Sequence, residues 1–327
     1  MSQENQLSSE FVKVSEMQKG MRATGFFLVR SMAVKTSAND KMYGDYVLAD
    51  QTGEINAKLW DVADPSQCPQ VGAFMKVQGL VTEWQEKLQF RMDKFREVNE
   101  NDPVDIGDFV PTAPEPLDLL MDELHSAVAS IQNPDIAGIV GKILADCQDQ
   151  MAYFPAALRN HHAIRGGLLY HTVSMLRVAE GMLAVYTWLD ADLVNAGIIL
   201  HDMAKIVELE STPVGVATRY TRDGQLLGHI QQGMTMVERA GRELGADPEI
   251  CTLLQHMILA HHYEPEFGSP KRPMFPEAEA LHYLDILDAR MYDMNKILSD
   301  VEPGGFSDRV YVLHNRQLYR KTFDSQA

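Results

Sequence analysis

The sequence predicts a multidomain protein with both α and β structure, in which an N-terminal OB-type β-barrel is followed by an all-α domain. Two observations predict this order. Residues 21–98 show the short apolar–polar alternation of strands, whereas the apolar residues between about 117 and 300 recur at helical spacing. The length of 327 residues is sufficient for two domains with separate cores.

The barrel prediction depends on several short strands that follow one another closely. In residues 54–61, EINAKLWD, the apolar side chains of Ile55, Ala57 and Leu59 alternate with the residues between them, which is the period of a half-buried strand. Residues 50–53, DQTG, predict a hairpin turn. About five such strands within about 80 residues are typical of a small barrel, which closes and so removes its exposed strand edges.

Residues 103–116, PVDIGDFVPTAPEP, contain four prolines and few apolar residues, so they predict a linker. We therefore divide the chain into a barrel (1–100), a linker (101–116), a helical domain (117–300) and a C-terminal tail (301–327). Within the helical domain, residues 212–229 contain β-branched side chains and the pair Asp223 and Gly224, which together predict a short hairpin.

The formal net charge of −17 is concentrated in one segment of the chain. Residues 99–150 hold one lysine and 11 acidic residues, whereas residues 1–98 hold 12 basic and 13 acidic ones. An acidic protein is a poor partner for nucleic acid, because phosphate favours a basic surface. The near-neutral barrel nevertheless leaves a nucleic-acid partner open.

Targeting signals and cysteines indicate where the protein works. No apolar run is long enough to span a membrane, and the polar first residues, MSQENQLSSE, do not resemble a signal peptide. The three cysteines are scattered and form no CxxC pair. The sequence therefore predicts a cytoplasmic protein without a membrane partner.

The strongest chemical signal is the placement of histidines on apolar helix faces. His171 shares a predicted face with Met175 and Met182, and His201 continues an apolar face and is followed directly by Asp202. A histidine and a carboxylate are costly to bury side by side unless they are paired or bind a metal ion. The pattern therefore favours a metal site.

Further histidines and a carboxylate complete the pattern. They are His229, His261, His262 and Asp285. Each alone could be a hydrogen-bonded core residue or a charge at a helix end. Together they supply imidazole and carboxylate ligands, which suit Mn²⁺, Fe²⁺ or a similar ion. His256 is left out, because five residues separate it from His261 and place it roughly 140° around the helix.

The order H…HD…H…HH…D, with the motif HDxxK, resembles the HD-domain metal-dependent phosphohydrolases. The segments GGLLYHT, IILHDMAK, LLGHI and LHYLDILDA, together with DQTGEINAKLWD in the barrel, are similar to those of the YhaM-type 3′→5′ exoribonucleases. That family also carries an N-terminal OB-type domain. The resemblance extends from residue 21 to about residue 290 and identifies the helical domain as an HD domain.

The resemblance implies ligands for one or two divalent ions per chain. The first set comprises His171, His201, Asp202 and Asp285. The second set comprises His229, His261 and His262, with Asp202 as a bridge, and the place of His262 is left open. Mn²⁺ is favoured, with Fe²⁺, Co²⁺ and Mg²⁺ as alternatives. Asp288 is the rival of Asp285, since the two lie three residues apart, and we prefer Asp285 because it is the first aspartate of the family's D-x-x-D-A motif.

The expected reaction is hydrolysis of a terminal phosphodiester by water that the metal activates. We expect catalytic roles for Asp202 and for Lys205, which would contact the phosphate, although Lys205 could instead pair with Asp202 or Glu208. Four further residues are predicted to bind substrate in a loop after the histidine pair or at the mouth of the site. They are Lys271, Arg272, Arg159 and His162. A solvated loop is the alternative for Lys271 and Arg272.

In the barrel, exposed aromatic and basic side chains would stack bases and follow the backbone of a single strand. Trp60 is the main stacking candidate, with Lys58 and Arg91 as basic contacts. Tyr46, Trp84 and Lys87 are further candidates. Core packing is the alternative explanation for each aromatic side chain.

We expect a metal-dependent 3′→5′ exoribonuclease that degrades single-stranded RNA, with single-stranded DNA as a further substrate, to nucleoside 5′-monophosphates. Its polarity follows from the resemblance alone. One alternative is an HD-domain phosphodiesterase or phosphatase that acts on a small or cyclic nucleotide. Another is a non-catalytic RNA-binding adaptor with a structural metal. The sequence leaves a homo-oligomer and the role of the tail open.

Overall fold

The computed structural model describes residues 11–37, 39–50, 52–85, 87–99, 101–104, 107, 109–158, 162–212 and 214–323. Contacts divide the chain into two units. The first comprises Met1–Pro111 and Thr212–Val216, and the second comprises Thr112–Ser211 and Ala217–Ala327. The boundaries predicted near residues 100, 116 and 300 stay predictions.

The first unit contains a closed five-stranded barrel. Its strands are β1 (Arg22–Thr36), β2 (Met42–Asp50), β3 (Gly53–Leu59), β4 (Phe74–Trp84) and β5 (Lys87–Glu97). They follow one another around the barrel in the order β1-β2-β3-β5-β4, and the pairing of β3 with β5 is parallel while the other pairs are antiparallel. This topology confirms the predicted OB-type barrel.

The alternating pattern of the strands fills the barrel with apolar side chains. Ile55 and Ala57 are buried, as their alternation predicts, and Phe27, Val77 and Phe90 are fully enclosed. At the predicted hairpin turn, Asp50 at the end of β2 pairs with Gly53 at the start of β3. A small second apolar cluster forms where Val214 packs with Leu28 and Val110.

The second unit is helical, as predicted. Its helices are α1 (Leu117–Ser130), α2 (Pro134–Met151), α3 (Gly167–Val185), α4 (Ala191–Leu200), α5 (Lys205–Glu208), α6 (Arg222–Leu244), α7 (Pro248–Ala260) and α8 (Pro276–Ser299). Asn133 caps α2 by accepting hydrogen bonds from Asp135 N and Ile136 N, and Pro134 occupies the first turn, where a missing N–H costs nothing. The helices share one continuous apolar core.

The predicted hairpin exists, but its turn lies earlier than the sequence suggested. Strands β6 (Leu209–Ser211) and β7 (Ala217–Tyr220) pair antiparallel. Asp223 and Gly224 are not its turn but belong to the first turn of α6, because the Thr221 hydroxyl accepts the Gly224 N–H and caps the helix there. The prediction of the turn was therefore wrong.

The segment after α8 folds back on itself. Phe306 pairs with Tyr319, and Val310 pairs with Arg316, in isolated antiparallel bridges. The guanidinium of Arg320 donates to the carbonyl oxygen of Val301 at 2.6 Å. No helix in the described part of the chain is long and apolar enough to cross a membrane.

Candidate metal centre

Five helical elements bring the predicted histidines and aspartates together inside the second unit. His171 lies on α3, His201 and Asp202 follow the end of α4, and His261 follows the end of α7. These four side chains are buried, with exposures of 0–3%. His229 lies on α6 and Asp285 on α8. The cluster is therefore assembled by tertiary packing from distant parts of the sequence.

Asp202 is the centre of this cluster. Its Oδ1 lies 3.5 Å from His229 Nε2 and 3.9 Å from His261 Nε2. Its Oδ2 lies 3.4 Å from His201 Nε2 and 3.9 Å from His171 Nε2. Each carboxylate oxygen thus faces two imidazoles, which is the arrangement expected of a carboxylate that bridges two ligand sets.

Three histidines are oriented by backbone carbonyls. His201 Nδ1 bonds to Ile198 O at 2.8 Å, and His261 Nδ1 bonds to Ile258 O at 2.7 Å, so both rings are tied to the preceding helical turn. His262 Nδ1 bonds to the carbonyl oxygen of Phe267 at 2.6 Å. A carbonyl can only accept, so each Nδ1 carries a proton, and in the neutral form of the ring Nε2 keeps its lone pair.

The other two histidines are oriented by carboxylates. His171 Nδ1 lies 2.8 Å from Asp288 Oδ2, and His229 Nδ1 lies 3.0 Å from Glu208 Oε1. Metal-binding histidines commonly donate their second N–H in this way, which fixes the ring and raises its basicity. All five rings therefore direct Nε2 toward the cluster.

Asp285 and Asp288 occupy different positions around His171. Asp285 Oδ1 lies 3.3 Å from Nε2, on the side of the cluster, whereas Asp288 contacts Nδ1 on the opposite side of the ring. Since Nε2 faces Asp202 as well, Asp285 has the position of a ligand and Asp288 that of an orienting group. This geometry favours the choice of Asp285.

Electrostatics keep the carboxylates ionised despite their burial. Burial disfavours the charged form of Asp202, but Lys205 and His201 outweigh it and hold the pKa of this carboxyl below its usual range. Lys205 Nζ lies 2.6 Å from Asp202 Oδ2, and this contact raises the lysine pKa against the effect of burial. The ion pair that the sequence offered as an alternative for Lys205 is thus present.

The histidines differ in charge. Burial and the neighbouring imidazoles of His262 and His201 place the pKa of His261 well below its usual value, so this ring is neutral, as a metal ligand must be. For His171, burial acts in the same direction, but hydrogen bonds with Asp285 and Asp288 prevail and raise the pKa to about 9. A metal ion bound at His171 Nε2 would displace one proton.

The donor atoms of this cluster fit a divalent metal. Within the described residues, the Nε2 atoms of His201, His229 and His261 and Oδ1 of Asp202 are buried and have no hydrogen-bond partner. Such atoms are costly to bury unless something binds them. At this cluster, two groups of described residues have ligand atoms that lie within 4.8 Å of one another: His171, His201 and Asp202 form one, and His229, His261 and His262 form the other. Neutral imidazoles and carboxylates suit a divalent transition metal.

The predicted substrate contacts of the helical unit have different surroundings. Lys271 and Arg272 are exposed in the loop after His262, and the Arg272 guanidinium lies 4.9 Å from the ring centroid of Tyr263. His162 does not line a mouth: it is fully buried and bonds to Asp288, so that prediction was wrong. Arg159 lies outside the described residues.

His256 lies apart from the cluster, as predicted. Its Nε2 accepts the backbone N–H of Met274 at 3.0 Å, which is a structural role.

In the barrel, Trp60 keeps an exposed aromatic surface. It is 47% exposed, and its ring lies 4.9 Å from that of Tyr43. Lys58 forms an ion pair with Asp45, and Arg91 with Asp93 at 3.1 Å, so both predicted basic contacts are neutralised locally. Trp84 and Lys87 are exposed.

Tyr46 is 1% exposed, so it cannot stack a base and its prediction was wrong. It belongs to the barrel core, where its ring lies against Gly44.

Two residues that support the site were missed at the sequence level. Glu208 Oε1 accepts both the backbone N–H and the Nδ1–H of His229, each at 3.0 Å, where Gly228 breaks the helix with a φ of 72°. His282 Nδ1 bonds to the carbonyl oxygen of His261 at 2.7 Å. Neither residue is part of a recognisable sequence motif, because each contacts its histidine only once the chain has folded.

Comparisons with known proteins agree with this arrangement. Residues 168–290 match the HD domain family. The 3′-5′ exoribonuclease YhaM of Bacillus pumilus (strain SAFR-032) is 40% identical over 297 residues, which are 90% of this chain and 94% of that protein. The protein of the same name from Bacillus subtilis (strain 168) is 40% identical over 93% of this chain and 96% of its own length.

Solved structures match a smaller share of the chain. A replication protein A domain from Methanococcus maripaludis is 24% identical over 28% of this chain and 97% of its own, with a TM-score of 0.25.

Proposed function

The chain belongs to the YhaM family of 3′-5′ exoribonucleases, and from this premise we propose that its histidine–aspartate centre hydrolyses the 3′-terminal phosphodiester of single-stranded RNA. The products are nucleoside 5′-monophosphates. The observation that carries this proposal is the set of buried, unpartnered donor atoms around Asp202 in the described residues.

We assign the ligands to two positions that share Asp202. The first position comprises His171, His201, Asp202 and Asp285. The second comprises His229, His261, His262 and Asp202. The two pairs of imidazoles that face the two oxygens of Asp202 support this division. We propose Mn²⁺ as the ion, since imidazole and carboxylate together suit it better than they suit Mg²⁺, which prefers oxygen ligands and water.

When bound, a divalent ion at these ligands activates a water molecule and offsets charge on the phosphate. The protein's own residues orient and neutralise the reacting group. The Lys205 ammonium remains charged beside Asp202 and is 12% exposed, so it can donate to a phosphate oxygen at the edge of the cluster. Lys271 and Arg272, which are exposed in the following loop, would hold the next phosphate.

The barrel would hold the single strand by stacking. The exposed ring of Trp60, placed against Tyr43, offers a base a flat apolar surface. Because Lys58 and Arg91 are paired with acidic residues, the barrel would grip weakly, as suits an enzyme along which the strand must advance. Single-stranded DNA is included as a second substrate, because stacking does not depend on the sugar.

Two further expectations belong to this proposal. The cysteines Cys68, Cys147 and Cys251 are free thiols, which supports a cytoplasmic location. A homo-oligomer stays a prediction. Action on a small or cyclic nucleotide is not favoured, since relatives matched over most of their length are named as exoribonucleases.

The products provide the test of this function. Purified protein with Mn²⁺ is incubated with single-stranded RNA, and the products are separated by chromatography. We expect nucleoside 5′-monophosphates, and none after treatment with EDTA. If RNA stays intact while a cyclic dinucleotide is hydrolysed, the phosphodiesterase alternative replaces this proposal. If metal binds and neither substrate is cleaved, the adaptor with a structural metal replaces it.

A further inference from the structure

We propose that His162 is a positioning residue for the ligand His171, on which it acts through the Asp288 carboxylate. This inference rests on the proposed metal centre and goes beyond its ligand set. It concerns a buried histidine on the side of His171 opposite the cluster.

One oxygen atom connects the two histidines. Asp288 Oδ2 lies 2.8 Å from His162 Nε2 and 2.8 Å from His171 Nδ1. Because one carboxylate oxygen lies at hydrogen-bond distance from both imidazole nitrogens, it accepts from both, and both ring nitrogens are donors.

The consequence for His171 is geometric. The Ser174 side chain also bonds to this carboxylate, but Oδ2 is the oxygen that His162 and His171 share. Without the bond from His162, Oδ2 can move about the side-chain torsions and the His171 ring can tilt with it. The bond from His162 fixes Oδ2 in place. The bond of Oδ2 to Nδ1 then fixes the His171 ring, so that Nε2 is aimed between Asp285, at 3.3 Å, and Asp202, at 3.9 Å.

The fold maintains an unusual backbone conformation to place His162. Its φ is 54°, in the left-handed region that residues with a side chain seldom adopt. The His162 carbonyl accepts the N–H of Ala156 at 3.0 Å, and a Cβ at Gly167 would collide with the same oxygen. The Tyr292 ring packs at 3.9 Å between centroids. The second glycine of GGLLYHT thus serves the close approach of His162.

Two other roles for His162 can be distinguished from the proposed positioning role. His162 could be a packing residue that affects only stability. Alternatively, His162, His171 and Asp288 could themselves form a metal site, since their ligand atoms lie within 4.8 Å of one another. Each rival predicts a different change in metal binding when His162 is replaced.

The test uses Co²⁺, whose visible absorption reports on its ligands. Full-length wild type, His162→Gln, Asp288→Asn and the double variant are titrated with Co²⁺ against a competing chelator. His256→Gln is the control, because it removes a partly buried histidine whose ring bonds to the backbone N–H of Met274 and not to a residue of the cluster. We expect His162→Gln to weaken Co²⁺ binding by about 10-fold and to shift the absorption bands, with unchanged stoichiometry. The double variant should lose no more than Asp288→Asn alone, since both changes act on one path.

Three results would overturn the proposal. They are a His162→Gln spectrum and affinity equal to those of His256→Gln, additive losses in the double variant, and the loss of one bound ion. If wild type binds no Co²⁺, the metal centre itself is rejected. If His162→Gln does not fold, wild type loaded with Zn²⁺ still provides a test. Its proton NMR spectrum should contain an exchange-protected, downfield N–H from His162 Nε2 that Asp288→Asn removes, and its absence would contradict the proposal.

Discussion

Lys205 Nζ lies 2.6 Å from Oδ2 of Asp202, the carboxylate around which the imidazoles of the cluster are arranged. A metal ion and this ammonium therefore compete for the same oxygen. The lysine should weaken metal binding slightly, while its charge remains available to the phosphate during hydrolysis. Its two effects can be measured separately.

We expect Lys205→Met to bind Mn²⁺ at least as tightly as wild type, yet to lose about 100-fold in the rate of RNA hydrolysis, because a cation at the transition state is removed. The measurements are metal affinity by chelator competition and single-turnover cleavage. Lys142→Met, which breaks an ion pair with Glu243, is the control. Equal rates in Lys205→Met and wild type would mean that the lysine only neutralises Asp202.

Glu208 provides a second prediction. Glu208→Gln should weaken Mn²⁺ binding by about 10-fold, because the neutral amide cannot support His229 as the carboxylate does. Glu210→Gln is a matched control two residues away, since Glu210 is exposed and pairs only with Arg219 among the contacts described. Affinity is again measured by chelator competition. An equal affinity in the two variants would remove Glu208 from the site.

The barrel surface is tested by RNA binding without cleavage. In an Asp202→Asn background, we expect Trp60→Leu to weaken binding of single-stranded RNA by about 10-fold, which corresponds to the loss of one stacked base. The readout is fluorescence anisotropy of a labelled RNA. Trp188→Leu, which also removes an exposed tryptophan but in the helical unit, should have no effect. Indistinguishable Kd values for these two variants would count against the stacking role.

The pH dependence of stability is predicted from an ion-pair network away from the site. Hydrogen bonds from Arg177 lower the pKa values of Glu115 and Glu123. Their contribution to stability is therefore present above their ordinary pKa of about 4.5 and is lost as pH falls through the lowered folded-state values. All three side chains are 36–45% exposed, so solvent screening limits the contribution to about 1 kcal/mol.

We expect Arg177→Gln to reduce the free energy of unfolding by up to about 1 kcal/mol at pH 7 and by less at pH 3. Urea denaturation of variant and wild type at both values measures this difference. An equal loss in the free energy of unfolding at pH 7 and pH 3 would show that Arg177 stabilises the fold by packing rather than by charge.

Sequence and structure agree where the chemistry depends on residue type and local spacing. The alternation of Ile55 and Ala57 predicted the barrel interior, and the HD pair with its separated histidines predicted the cluster. The structure adds what depends on tertiary contact. Glu208 supports His229, which lies 21 positions further along the chain. His162 acts on His171 through Asp288, which lies 126 positions away from His162. No local pattern encodes such distances.

Local signals also failed where two of them competed. Asp223 and Gly224 are typical of a turn, but the Thr221 hydroxyl caps the helix that contains them. Tyr46 was predicted to be a surface aromatic, but its side chain points into the barrel. Leu48, two residues along the same strand and therefore on the same face, is also buried.

The most direct test of the central claim follows a single-stranded RNA labelled at its 5′ end. With Mn²⁺, the wild-type protein should produce a ladder of labelled fragments that shorten progressively from the 3′ end. EDTA should abolish this ladder because it removes the metal ion. Asp202→Asn should abolish it because it removes the carboxylate that both ligand sets share. Intact RNA in the presence of bound Mn²⁺, immediate release of the labelled 5′ nucleotide, or full activity of Asp202→Asn would contradict the account.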